Sequence, residues 1–229
     1  MKRIVTFILL LIMPVVVSAG SYNVVDMIVD IDDNKYLVLT PDNIDDSEVL
    51  KEKGISASSI QKQFSSNKIF FNAIDLNDSL NTAEYVINVR ETSIEGNLDD
   101  QDDAFINRHY KGYGEKYTDY KEYGIYKTKK YTYFHFEYKY ALYYRDCYIT
   151  VINGKEYIIT YSKLRKELTD DERKEVKKFI DTAKFNTTSK YDVFGNVNVQ
   201  DILLMLAVFL AAAIFVIFVG KFILPKNNK

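Results

Sequence analysis

Asn153-Gly154 stands between two apolar runs, Tyr148 to Ile152 and Glu156 to Tyr161, an arrangement that calls for a tight β-hairpin. A two-residue turn with left-handed backbone suits Asn-Gly because both residues tolerate positive φ. That turn sets the register, pairing Ile152 with Lys155 and Ile149 with Ile158. Upstream, the even positions Thr132, Phe134, Phe136, Tyr138, Tyr140 and Leu142 alternate with Tyr133, His135, Glu137 and Lys139, which predicts a strand with one apolar and one mixed face. Fifteen of the 19 tyrosines fall between Tyr110 and Tyr161, and aromatic rings favour strands because they cover a pleated, half-buried surface. Residues 116–162 therefore read as four consecutive strands.

The flanks supply the rest of a domain. Val24 to Ile31 and Tyr36 to Leu39 read as a hairpin around Asp32-Asp33-Asn34. Ser47 to Lys53 is a short helix stopped by Gly54, and Ser56 opens a second that carries Ile60 and Phe64 on one face. Ile69 to Leu76 and Ala83 to Val89 follow as strands. The acidic run Asp99 to Asp103 leads into a helix over 104–113, with carboxylates at its positive end. Thr169 and Glu172 form a capping box ahead of the stripe Val176, Phe179, Ile180 and Ala183, which marks an amphipathic helix. This order predicts an α+β fold, a central antiparallel sheet with flanking helices.

Both ends of the chain are apolar. Lys2-Arg3, an apolar stretch from Ile4 to Val17 and the small residues before Gly20 make residues 1–19 a secretory signal peptide, cleaved between Ala19 and Gly20; an uncleaved anchor is the alternative. Ile202 to Val219 is a run of 18 apolar residues, long enough as a helix to cover about 27 Å of a ~30 Å hydrocarbon core. It reads as a transmembrane helix over 202–220 rather than a buried soluble helix. Lys221, Lys226 and Lys229 follow it without an acid, so the positive-inside rule puts residues 221–229 in the cytoplasm and the domain outside. Ala207 and Ala211 form a small-xxx-small pair, common by chance in an Ala-rich span. The expected layout is a signal peptide (1–19), an extracytoplasmic domain (20–185), a linker (186–201), one span and a short tail. The net charge of −2 conceals a partition, since all 32 acids and 25 of the 30 basic residues lie in 20–201. That exported part is acidic, which argues against a nucleic-acid partner.

The element order, with CYITVINGKEYIITYSK ahead of a capped helix ending in FIDTAKF and with YLVLTPDN and LKEKGIS upstream, resembles the PsbP/Mog-like superfamily. It is more closely similar to uncharacterised exported proteins of low-GC Gram-positive bacteria. The resemblance spans about residues 22–185 and is a pattern of strands, not a catalytic signature. It implies a non-enzymatic binding or assembly domain and brings no functional residue with it.

Chemical motifs are mostly missing. The sequence has no nucleophile elbow, zinc-protease helix, phosphate loop or C-x-x-C pair. With one Cys and two His, neither a disulfide nor a Cys-based zinc site is available within the chain, and no cofactor or metal is expected. Cys147 and His135 form a conceivable dyad, but a thiol in an apolar strand reads as buried and inert. Asp30, Asp32 and Asn34 mimic the start of a calcium loop, yet Lys35 stands where Gly is required, and turn chemistry accounts for them. The four aspartates of 99–103 are explained by the helix dipole. Tyr131, Tyr133 and His135 are the candidate binding residues, as a surface patch on the mixed face. The expected function is therefore a single-pass cell-membrane protein presenting a binding or assembly module, with envelope protein or cell-wall carbohydrate as its partner. A carboxylate-based envelope hydrolase and an accessory or sensory subunit of a membrane complex are the alternatives.

Overall fold

The computed structural model describes residues 19–75, 77 and 82–186. The apolar run Ile202 to Val219, the linker beyond Asn186, the tail and all of the signal segment but Ala19 lie outside the described residues. No helix among the described residues is long and apolar enough to cross a membrane.

The chain runs through β1 (Ala19–Val24), β2 (Met27–Asp32), β3 (Tyr36–Leu39), α1 (Glu48–Glu52), α2 (Ala57–Asn67), β4 (Ile69–Asp75), β5 (Ala83–Glu91), a 3-10 turn (Leu98–Asp100), α3 (Asp103–Tyr110), β6 (Thr118–Lys127), β7 (Thr132–Tyr140), β8 (Tyr143–Ile152), β9 (Lys155–Leu164), α4 (Asp170–Thr182) and β10 (Lys184–Phe185). Seven strands form one antiparallel sheet in the order β3-β4-β5-β9-β8-β7-β6. The remaining strands form a small sheet in the order β1-β2-β10. The fold is thus α+β, a large antiparallel sheet with a few helices.

The Asn153-Gly154 hairpin has the expected register, with Ile152 opposite Lys155 and Ile149 opposite Ile158, and both turn residues have positive φ, 52° and 72°. The capping box of α4 is also present: Thr169 accepts from the Glu172 backbone, and the Glu172 side chain accepts from the backbone of Thr169. The acidic run is spent on helix starts, Asp100 accepting from Asn97 N at 3.1 Å and Asp102 from Phe105 N at 2.6 Å. Helix α3 ends at Tyr110, three residues short of expectation.

The N-terminal hairpin differs from its expectation. β2 pairs with β1, not β3, through a turn at Val25-Asp26. Asp32 to Asn34 instead carries the chain from the small sheet to the edge of the large one, with Asn34 N donating to Asp32 Oδ1 at 3.0 Å. Val25 makes the tight reversal with φ of 61°, a conformation that a β-branched residue rarely adopts.

The two faces of the large sheet are covered differently. On one, here face A, a continuous core joins Phe71, Tyr85, Ile87 and Ile159 to Val176, Phe179 and Ile180 of α4 and to Val24, Met27 and Val29 of the small sheet. On face B there are two separate cores. Leu39, Ile44, Leu50 and Phe64 pack at the β3–β4 end, and Leu98, Ile106, Tyr110, Phe134, Phe136 and Ile149 at the β7–β8 end. A strand covered on both faces has no wet side, and residues 132–138 of β7 are all buried.

Candidate functional site

The gap between the two cores of face B is an open cavity of about 690 Å³. Helix α1 has its N-terminus capped by Ser47 and α2 by Ser56, and both lean over the β3–β4 end. Leu50, Ile60 and Phe64 from these helices, with Leu37 and Ile74, make an apolar wall. The floor is polar: Asn72, Glu84, Thr160, Ser162 and Arg145 project from adjacent strands. Register puts them on one face, since Leu39 pairs with Asn72, Asn72 with Val86, Val86 with Thr160, and Ser162 with both Glu84 and Arg145.

Polar groups in the floor are partly satisfied. Asn72 Nδ2 donates to Glu84 Oε2 and to the Tyr85 carbonyl, both at 3.1 Å. Arg145 is less fully engaged. Nη1 donates to Tyr138 Oη at 3.3 Å, and the guanidinium lies 5.5 to 5.8 Å from the ring centroids of Tyr138, Tyr140 and Tyr143. Its Nε is buried without a hydrogen-bond partner, and such a group gains from any acceptor that enters.

The expected patch on the opposite face is corrected by burial. Tyr131 is 7 % exposed, Tyr133 0 % and His135 7 %. The mixed face of β7 is roofed by other elements; the polar ends of Tyr131 and His135 find partners inside, while the buried Tyr133 hydroxyl has none. Tyr131 accepts a hydrogen bond from Phe185 N of β10 at 3.1 Å and meets the Phe185 ring edge-on at 4.8 Å. Tyr133 packs near Tyr126 and Tyr148. Among the described residues the exposed tyrosine rings are Tyr123, at 52 %, and Tyr140, at 54 %, with Leu142 beside it at the β7–β8 turn.

His135 lies within a buried ionic cluster. Its ring is stacked between Tyr148 and Tyr123, with centroids at 4.1 and 4.6 Å, and its Nε2 is 2.6 Å from Asp146 Oδ1. Glu137 lies directly opposite Asp146 and accepts from Arg173 Nε and Nη2 of α4 at 2.6 and 3.0 Å. Burial raises the Asp146 carboxyl above the usual range, against the opposing pull of His135. The Glu137 hydrogen bonds push Arg173 higher still than an ordinary guanidinium.

The Cys147–His135 dyad does not form. Cys147 pairs with Phe136 and Thr160 on face B, whereas His135 and Asp146 project to face A. Burial drives the Cys147 thiol up to about 12, only partly offset by its contact with Thr160. Sequence reasoning missed Asp146 and Arg145. The available signal was charge inside an otherwise apolar and aromatic strand, Arg145-Asp146 within YYRDCYITVI.

No family model matches the chain, and no curated protein matches it. The fold is similar to the solution structure of cyanobacterial PsbP (CyanoP) from Synechocystis sp. PCC 6803, with a TM-score of 0.40 and 11% sequence identity over 74% of this chain and 94% of that one.

Proposed function

We propose that the chain is a single-pass cell-membrane protein that holds a non-enzymatic binding module outside the cell, and that the face B groove is its binding surface. The observation that carries this reading is the groove itself. It measures about 690 Å³, within the usual range of about 300–1,000 Å³ for ligand sites, and sets an apolar wall against a polar floor containing a buried, unpaired Arg145 Nε. Such a lining suits a segment of an envelope protein with an apolar side chain next to an acidic group. The membrane part rests on the signal segment and on the Ile202 to Val219 run. The PsbP-like reading of the fold rests on the element order and on the quoted segments.

The hydrolase alternative is not favoured by the facing acid pair Glu137 and Asp146. Glu137 is committed to Arg173 and Asp146 to His135, and both are buried. A free, solvent-reached acid pair is what glycoside hydrolysis needs.

The test is photo-crosslinking in intact cells from Gln63, an exposed residue on the groove rim, in the native chain and in a folded Val86→Trp variant that fills the floor. A discrete envelope-protein adduct that disappears in Val86→Trp supports the reading. The same adducts with the groove filled would overturn it, as would a carbohydrate adduct for the choice of partner. Protease added to intact cells must cut the domain; protection would end the topology.

A further inference from the structure

Three side chains of metal-ligand type converge on face A, on the opposite side of the sheet from the groove. His135, Glu137 and Asp146 each offer an atom within 4.8 Å of the others', and they are 7 %, 6 % and 1 % exposed. All three stand on adjacent strands inside the seven-stranded sheet, so their backbones are held in place by ladders on both sides. The stacking of Tyr148 and Tyr123 on the two sides of the imidazole fixes its plane.

The hydrogen bonds in this cluster are unevenly shared. Arg173 offsets one carboxylate by bonding both oxygens of Glu137. Asp146 has the ring nitrogen of His135 on Oδ1, while its Oδ2 is buried without a partner. A buried carboxylate with an unsatisfied oxygen is costly unless a proton or a cation joins it. A cavity of about 220 Å³ adjoins the cluster, lined by all three side chains together with Tyr123, Gly124 and Tyr126. It has room for a bound ion and its waters.

We propose that His135, Asp146 and Glu137 bind a divalent transition-metal ion, Zn²⁺ in the first instance. His135 Nε2 and the Asp146 carboxylate are the main ligands, Glu137 is the third, and water from the cavity completes the shell. One imidazole with carboxylates is a donor set that suits Zn²⁺ better than Ca²⁺, which takes oxygen alone. Arg173 then acts as the outer partner that orients Glu137, whose oxygens each keep a second lone pair for the metal. Bonds of about 2.0–2.2 Å place tetrahedral ligand atoms roughly 3.3 Å apart, so binding opens the 2.6 Å His135–Asp146 contact by a small rotation of the carboxylate. Lys177 at the cavity rim opposes a second cation and favours a single one. The site is independent of the groove, and its failure would leave that reading intact.

The experiment uses the full chain, free of any tag and stripped with a chelator, labelled with ¹⁵N-histidine. With two histidines in the sequence, two side-chain spin systems are followed as Zn²⁺ is added, and Co²⁺ supplies a visible absorption band. The expected result is one Zn²⁺ per chain, a shift of the His135 Nε2 resonance and not of His109, and a loss of affinity of about tenfold or more in His135→Asn and Asp146→Asn. His109→Asn, at an exposed helix position, should bind as the native chain does. No binding by the native chain, or an unmoved His135 resonance at saturation, would overturn the proposal without recourse to any variant. Full affinity in both folded site variants would do the same.

Discussion

Arg173 on α4 clasps Glu137 on β7 through two hydrogen bonds, 2.6 and 3.0 Å long, and so fastens the last helix to the interior of the large sheet. Glu137 is buried and its partner is 28 % exposed at the side chain. Removing only the guanidinium strands a carboxylate away from water. Arg173→Leu should therefore lose about 3 kcal/mol, the low end for a broken buried pair. Adding Glu137→Leu should recover most of it. Urea unfolding of the native chain, both single variants and the double variant reads this directly, and an additive double variant would mean that the pair is not coupled.

The start of α4 carries a pH dependence of opposite origin to that of a buried acid. For Glu172, burial alone would raise the carboxyl, but Lys163 and the Thr169 cap outweigh it and the net shift is downward. A depressed folded value means that the charged form stabilises the fold above the usual carboxylate range and that this contribution disappears as pH falls through the folded value. Glu172→Gln keeps the capping box but loses the charge that faces Lys163, so it should cost about 0.5–1 kcal/mol at neutral pH and progressively less as the medium becomes acidic. Unfolding midpoints across that range check the sign; a deficit that grows in acid would contradict it.

Cys147 should be silent in the folded chain. Its thiol is buried and held up at about 12, so almost none of it is thiolate at neutral pH. Iodoacetamide should label it only after unfolding, and rapid labelling of the native chain would show that β8 is open to solvent.

Val25 has φ of 61° at the β1–β2 turn and is 38 % exposed, so it carries backbone strain with little burial in return. Val25→Asn supplies a side chain that accepts left-handed backbone and should raise stability by about 1 kcal/mol, the lower end of such strain. The expected reading is a higher urea midpoint at an unchanged slope.

These residues also show what the sequence could and could not reveal. The Asn153-Gly154 turn and the Thr169–Glu172 box act through neighbours a few positions away, and both are found as read. The β1–β2 turn was hidden because Val25 and Asp26 carry no strong turn signal, while the nearby Asp32-Asp33-Asn34 does. Alternation along β7 correctly separated two sets of side chains, but it reports residue type, not what lies above. His135 and Glu137 look wet by type and are dry because Arg173, Asp146 and two tyrosines close over them. The groove was invisible for the converse reason, as its floor draws one or two polar residues from each of several strands distant in sequence.

Tyr131, expected on the surface, instead secures the way out of the domain. The chain leaves the described residues through β10, two residues that pair with Met27 and Ile28 and seat Phe185 between the rings of Tyr131 and Tyr157. A mechanical pull on the chain beyond residue 186 therefore meets a short latch first. The latch closes on β2, next to the strand by which the described chain enters, so tension would peel β10 from β2 before it strains the ladders of the large sheet.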